Sequence, residues 1–347
     1  MIINKNLQQI EGMREWLESV PYDVTRTSLY AAHDLYGGYQ PSDDEEEDWA
    51  SYVNCYDRKV YQHYMSMGKN AQNVNESLAR ALHDHGIHTA LDAFLAEHDG
   101  RRCIGLMGGH ALLRSDPMFA RIVMLCKRLT EEGFYMLSGG GPGAMEATHL
   151  GAWLAGRTQE EAQKAVEMLA AEAVSYKDRK WLSSALYVMR RFPQSEFVSL
   201  GVPTWLYGHE PSTPFATHIA KFFENSLRED SILTMAVGGI IFTPGSAGTM
   251  QEIFQDAVQN HYLSFGISSP MVFMGEKYWT EEMPVYPLLQ QLMAAGKYKN
   301  LLLSITDDTE QIEKELKRFQ TKGIKGSALG DEGDAFFNFA VCNKSPL

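Results

Sequence analysis

From residue 1 to about 100, apolar positions recur at helical spacing, and no stretch has the strict alternation of a half-buried strand. The acidic run from Ser42 to Asp48 belongs to this pattern. Ser42 with Glu45 forms a capping-box signature, and carboxylates in a first helical turn favour the helix dipole. The apolar stripe continues through Trp49, Tyr52, Tyr56 and Val60, and a second helix is expected over about Ala71 to Glu97. At Arg101 the pattern changes. Short apolar runs begin to alternate with amphipathic segments: RRCIGLMGG, FYMLSGGG, SEFVSLGV, AVGGIIFT, PMVFMG and NLLLSIT. Unbroken apolar strands separated by helices predict a parallel sheet covered on both faces. The segment Arg157 to Phe192 stands outside the alternation, as a helical insert that is either a surface hairpin or an interface element. The expected architecture is α/β: a doubly wound parallel sheet over 101–347, an all-helical region over 1–100, and an insert over 157–192.

Composition narrows the partners. The chain of 347 residues has a net charge of −13, which argues against a grip on nucleic acid or on an anionic membrane surface. No apolar run reaches the ~20 residues of a spanning helix, and the N-terminal twenty residues lack a signal-peptide core. Cys55, Cys103, Cys126 and Cys342 have no CxxC spacing and read as reduced, buried thiols, as expected of a cytoplasmic protein. Neither the histidines nor the cysteines suggest a metal site, and no cofactor is implied.

Two glycine-rich turns fall at the carboxyl ends of predicted strands, where open α/β sheets bind ligands. In LSGGGPGAMEA, Gly139, Gly141 and Ala144 match the dinucleotide fingerprint, with Ser138 and Gly140 beside them. The acidic residue that would read a ribose about twenty positions on is missing, which disfavours a simple NAD site. In IIFTPGSAGTMQE, Gly245, Ser246, Ala247, Gly248 and Thr249 open a helix. Without GK[ST] this is no Walker loop. Either turn alone is compatible with a plain strand-to-helix connection; together they point to a phosphate cradle. Glu252 lies one turn beyond, where a carboxylate opposes anion binding but suits a ligand that develops positive charge, as the ribose does when a base departs. Arg228, in ENSLRED, is placed to take a phosphate or to hold Glu252. Other candidates for ligand contact are His110, Arg114, Ser115, Trp205, Tyr207 and Tyr262; Met107, Met136, Met145 and Met250 are expected to fill the core.

SGGGPGAMEA, ENSLRED and PGSAGTMQE, in this order, resemble the Lonely guy (LOG) family of phosphoribohydrolases, whose signature reads PGGxGTxxE. The resemblance covers about Arg101 to Phe319. It implies a modified Rossmann fold, at least a homodimer, and hydrolysis of a nucleoside 5′-monophosphate to free base and ribose 5-phosphate. Glu252 matches the family's catalytic glutamate and Arg228 its companion arginine, while Gly140, Gly141, Gly245, Gly248 and Thr249 match the phosphate loops. Ser246 replaces the second glycine of the signature, and the N-terminal helices and the insert exceed the compact plant-type members. The alternative expectation is a nucleotide sensor that binds without cleaving. The decarboxylase label sometimes given to such chains is disfavoured, because neither glycine loop carries a lysine for pyridoxal phosphate.

Overall fold

The computed structural model describes residues 13–71 and 73–322. Residues 1–12, Cys342 and the end of the 101–347 region lie outside the described residues. Seven parallel strands form one sheet in the order β4-β3-β2-β1-β5-β6-β7. They are β1 (Cys103–Met107), β2 (Tyr135–Ser138), β3 (Ser199–Gly201), β4 (His218–Ile219), β5 (Gly239–Phe242), β6 (Pro270–Phe273) and β7 (Leu302–Ile305). This is the expected doubly wound α/β sheet, Rossmann-like, with the winding direction reversing between β1 and β5. Six of the strands coincide with the apolar runs; β4, of two residues, is too short to leave a pattern.

Strands β1, β2, β3, β5 and β6 are buried on both faces, which is why they carry unbroken apolar sequence, while the edge strand β7 is half-buried. Cys103, Met107, Ile240, Phe242, Met271 and Phe273 join one buried cluster, and Ile104, Leu106, Ile241 and Val272 join the other. The period of two along each strand sends successive side chains to opposite layers. The helices Pro117–Glu131 and Ala144–Trp153 cover the second face. The insert, two helices at Gln159–Glu172 and Trp181–Arg191, packs against the same cluster through Ala162, Ala165, Val166, Leu169, Ala185 and Val188. Its acidic residues are only its outer side.

The N-terminal helices cover the first face. Val60, Leu91 and Phe94 share a hydrophobic cluster with Leu200, Trp205 and Phe222. Tyr30 exchanges two backbone hydrogen bonds with Ile219 (2.8 and 2.7 Å) and so closes the free edge of β4. The acidic run does start a helix, Glu45–Val53, but Asp44 rather than Ser42 is the cap: its carboxylate accepts from the N–H groups of Glu46 and Glu47. Ser42 instead donates to Glu47 at 2.9 Å. The stripe from Trp49 to Val60 is broken at Asn54 and Cys55, where a second helix, Tyr56–Met67, begins. Cys55, Cys103 and Cys126 are free and buried. Burial pushes the Cys103 and Cys126 thiols up to about 12, which leaves them poor nucleophiles.

A buried ion pair links the layers. Lys221, fully buried, places its Nζ 2.5 Å from Asp57 Oδ1 and 3.0 Å from Ser212 Oγ, and Trp205 Nε1 donates to the same carboxylate at 3.1 Å. Removing one partner strands the other charge. Asp57→Ala is expected to cost about 3–5 kcal/mol, read as a lower urea midpoint. The double replacement Asp57→Leu with Lys221→Met is expected to recover most of that loss.

Candidate functional site

Where the winding direction reverses, the loops after β1, β2 and β5 meet. Gly109 N–H donates to Pro244 O at 3.0 Å, and Ala144 N–H donates to Gly109 O at 3.1 Å. Backbone-to-backbone contact at this spacing leaves little room for side chains. Above the junction opens a cavity of about 310 Å³, lined by the loops and by the helices Asn225–Met235 and Ala247–Tyr262.

The helix Ala247–Tyr262 meets the cavity with its N-terminus. Ser246, at the cap position, makes no side-chain capping bond. The first-turn N–H groups of Ala247, Gly248 and Thr249 therefore keep their hydrogen-bonding capacity beside the cavity, together with the positive end of the helix dipole. A Cβ on Gly248 would meet nothing within 4 Å. The backbone at Ser246 has φ −106°, a conformation open to any L-residue, so serine fits there without strain.

Arg228 reaches the cavity from the helix Asn225–Met235. Its Nε donates to Val202 O at 3.1 Å, and its Nη1 stands 3.8 Å from Glu252 Oε1 and 4.0 Å from Glu229 Oε1. The guanidinium lies where a side chain on Gly139 would be: a Cβ at that position would overlap Arg228 Nη2 and come within 2.7 Å of Met145 Sδ. Gly140 has φ +68°, which favours glycine, and accepts from Thr213 N–H at 2.8 Å.

Glu252 lies one turn inside the helix Ala247–Tyr262, with a side chain only 13% exposed. Burial raises its carboxyl to about 7, with Arg228 opposing the rise and Glu229 adding to it. Glu229 differs from it. Its two oxygens accept from Asn225 Nδ2 (2.7 Å) and Gln251 Nε2 (2.6 Å), so it is held in place by the protein.

Of the residues singled out from sequence, Glu252, Arg228, Gly139, Ser246, Ala247, Gly248 and Thr249 line the cavity, as do His110, Tyr207, Met107 and Met145. Ser138, Gly140, Gly141 and Gly245 are not part of this lining. Ser138 turns inward, its hydroxyl 2.8 Å from His149 Nε2 and accepting from Gly140 N–H at 3.1 Å, so it shapes the loop from below. Gly245 O accepts from the Tyr278 hydroxyl at 2.6 Å. Arg114 does not close over a ligand. It is buried against Glu146, with further bonds to Ser184 Oγ and to the carbonyls of Ala173 and Trp181. Ser115 lies outside the lining, Trp205 is core, and Tyr262 is exposed away from the cavity. Gly108, Gly109, Glu210, Glu229 and Gln251 also line the cavity and were not singled out. The glycines closing RRCIGLMGG were the available signal for the first two. Glu210 comes from an irregular segment that offers none.

Among the described residues, no group of three or more His, Cys, Asp or Glu side chains is placed to hold a metal ion. No helix among them is long and apolar enough to cross a membrane.

No family model matches the chain, and no curated protein matches it. Among solved structures it is similar to the molybdenum cofactor binding protein from the phototrophic bacterium Rippkaea orientalis. The identity is 14%, over 63% of this chain and 96% of that one, with a TM-score of 0.38. A likeness at that level says nothing about a ligand, and the fold class stands on the strand order itself.

The raised Glu252 carboxyl has a thermodynamic signature. An unfolded chain releases this proton near 4.5, whereas the native chain keeps it to about 7. Between those values the native state binds more protons, so this residue's contribution to stability falls as pH rises through the window. Glu252→Gln removes the effect. The variant is expected to match the parent near pH 4 and to exceed it by roughly 3 kcal/mol at pH 8, as measured by chemical denaturation at the two pH values.

Proposed function

We propose that the protein hydrolyses the N-glycosidic bond of a nucleoside 5′-monophosphate to free base and ribose 5-phosphate. The observation that carries this reading is a mostly buried carboxylate, Glu252, one turn past an uncapped helix N-terminus and beside a single guanidinium. The resemblance of the glycine-loop motifs to the LOG phosphoribohydrolases supports it.

In this reading the 5′-phosphate sits on the N–H groups of residues 247–249, with Arg228 adding a formal charge. Glu252 follows Thr249 by three residues, about 5 Å along the helix axis, a span comparable to that from a 5′-phosphate to C1′ of its ribose. As the C1′–N bond breaks, its electron pair leaves with the base and the ribose takes on oxocarbenium character. The Glu252 carboxylate stabilises that charge and accepts a proton from the water that attacks C1′. A carboxyl that titrates at about 7 is matched to this task near neutral pH. Arg228, 3.8 Å away, favours the ionised carboxylate and limits the rise that burial causes.

The proposal extends to a homodimer, as the resemblance implies. Leu227, Val258 and Tyr262, on the two helices that bear Arg228 and Glu252, are 40, 41 and 54% exposed and offer an apolar surface for a second copy. The solution mass by light scattering checks this.

Ser246 favours a second reading, because its hydroxyl, which makes no capping bond, lies in the cavity lining and departs from the family signature. In that reading the chain binds a nucleotide without cleaving it. One experiment separates the two. Purified protein is incubated with AMP, GMP, IMP, CMP, UMP and isopentenyl-adenosine monophosphate, and base and ribose 5-phosphate are followed by chromatography. Hydrolysis predicts release from at least one, with kcat lowered at least 10²-fold in Glu252→Gln and binding changed only a few-fold. Return of intact nucleotide after tight binding would establish the sensor.

A further inference from the structure

Breaking a base–ribose bond makes a second demand that Glu252 does not meet. The departing base carries off the bonding electron pair, and a purine leaves readily only if a ring nitrogen is protonated as the bond breaks. This inference rests on the nucleosidase reading above. Among the groups lining the cavity, Glu229 is held by Asn225 and Gln251, and Glu252 serves the ribose side. The Tyr207 phenol, 43% exposed, is of a class that serves as general acid less often than imidazole. His110 is the imidazole in the lining, the side-chain class that most often serves as general acid or base.

His110 follows Gly108 and Gly109 directly, so it is fixed to the end of β1 at the point where the sheet reverses. Its Nε2 stands 3.6 Å from Glu210 Oε1, and its ring lies edge-on to Tyr176 at 5.9 Å between centroids. The Glu210 side chain is only 16% exposed, lines the same cavity and accepts no hydrogen bond among the described residues. A second imidazole, His209, lies 3.7 Å from the same oxygen, but it is 59% exposed and outside the cavity lining.

We propose that His110 is the general acid of the reaction, and that Glu210 is a positioning residue that holds its imidazole toward the departing base. The C1′–N bond breaks with its electron pair passing to the base, and a proton moves from the His110 imidazolium to a base nitrogen. Water supplies hydroxide to C1′ and its remaining proton goes to Glu252. Exchange with solvent returns the proton to His110.

The test compares the purine monophosphate cleaved fastest with its N7-methylated counterpart, whose base is already cationic and leaves without taking a proton. On the ordinary substrate, His110→Gln is expected to lower kcat by about 10²–10⁴-fold with KM nearly unchanged. On the methylated substrate the loss is expected to shrink below about tenfold. Glu210→Gln follows the same split with a smaller loss, and His209→Gln leaves both substrates unaffected. His110 is 40% exposed, so its replacement does not threaten the fold. Equal losses on both substrates would overturn the assignment, as would wild-type rates in His110→Gln, or release from pyrimidine monophosphates alone. Absence of any release by the unmodified protein would remove the nucleosidase reading and this proposal with it.

Discussion

The site depends on one constraint: three loops from adjacent parallel strands must pass within backbone hydrogen-bonding distance where the sheet reverses. Gly109 N–H bonds Pro244 O, and Ala144 N–H bonds Gly109 O, so the strand ends are tied by main chain rather than by side chains. That closeness calls for glycine, and glycine in turn lets the helices that follow begin close to the strand ends. A helix N-terminus therefore opens onto a shared cavity with its N–H groups unclaimed. Arg228 arrives from a separate helix and takes the space that a side chain on Gly139 would need. The cradle and its one guanidinium thus follow from the same crowding.

The Glu252–Arg228 pair shows which electrostatic effect wins. At 3.8 Å from Nη1 the carboxylate feels an attraction that favours its charge, yet burial is the larger influence and the carboxyl rises to about 7. Two structural facts limit the attraction. Arg228 spends its Nε on Val202 O, and Glu229 draws on the same guanidinium from 4.0 Å. A tighter, bidentate pair would have kept Glu252 an inert counter-ion. A loose one leaves it able to exchange a proton near neutral pH.

Most of the fold was legible because a sheet buried on both faces writes itself as unbroken apolar runs, six of which located strands. The N-terminal helices were legible for the complementary reason, that their stripes have one wet side. What the pattern could not carry was contact between distant segments. Arg114 looked available for a ligand, but Glu146, Ser184 and Trp181 come together around it only in three dimensions. Ser138 looked like a cradle residue until His149 placed its imidazole beneath it. Glu210 was invisible because its segment has neither helical nor strand period, and its place beside His110 is set by the chain's path between β3 and β4. The cap of the acidic helix slipped from Ser42 to Asp44 because two residues of one run both suit that role, and periodicity does not choose between them.

The cavity's charge inventory bears on its chemistry. Its lining holds three carboxylates, Glu210, Glu229 and Glu252, against one guanidinium and one imidazole. A site built only to hold an anion would gain from the opposite balance, since each buried carboxylate repels a phosphate. The arrangement becomes consistent if the anion is held mainly by backbone dipoles at residues 247–249, which carry no formal charge to be neutralised. The carboxylates are then free to face the part of the ligand that turns positive. Glu229 is already satisfied by two amides and serves the frame, whereas Glu252 and Glu210 accept no hydrogen bond among the described residues. Both keep acceptor capacity toward the cavity, which a ligand that brings donors or developing positive charge can use. The balance of charge therefore favours chemistry at a centre that becomes cationic over simple capture of a phosphate.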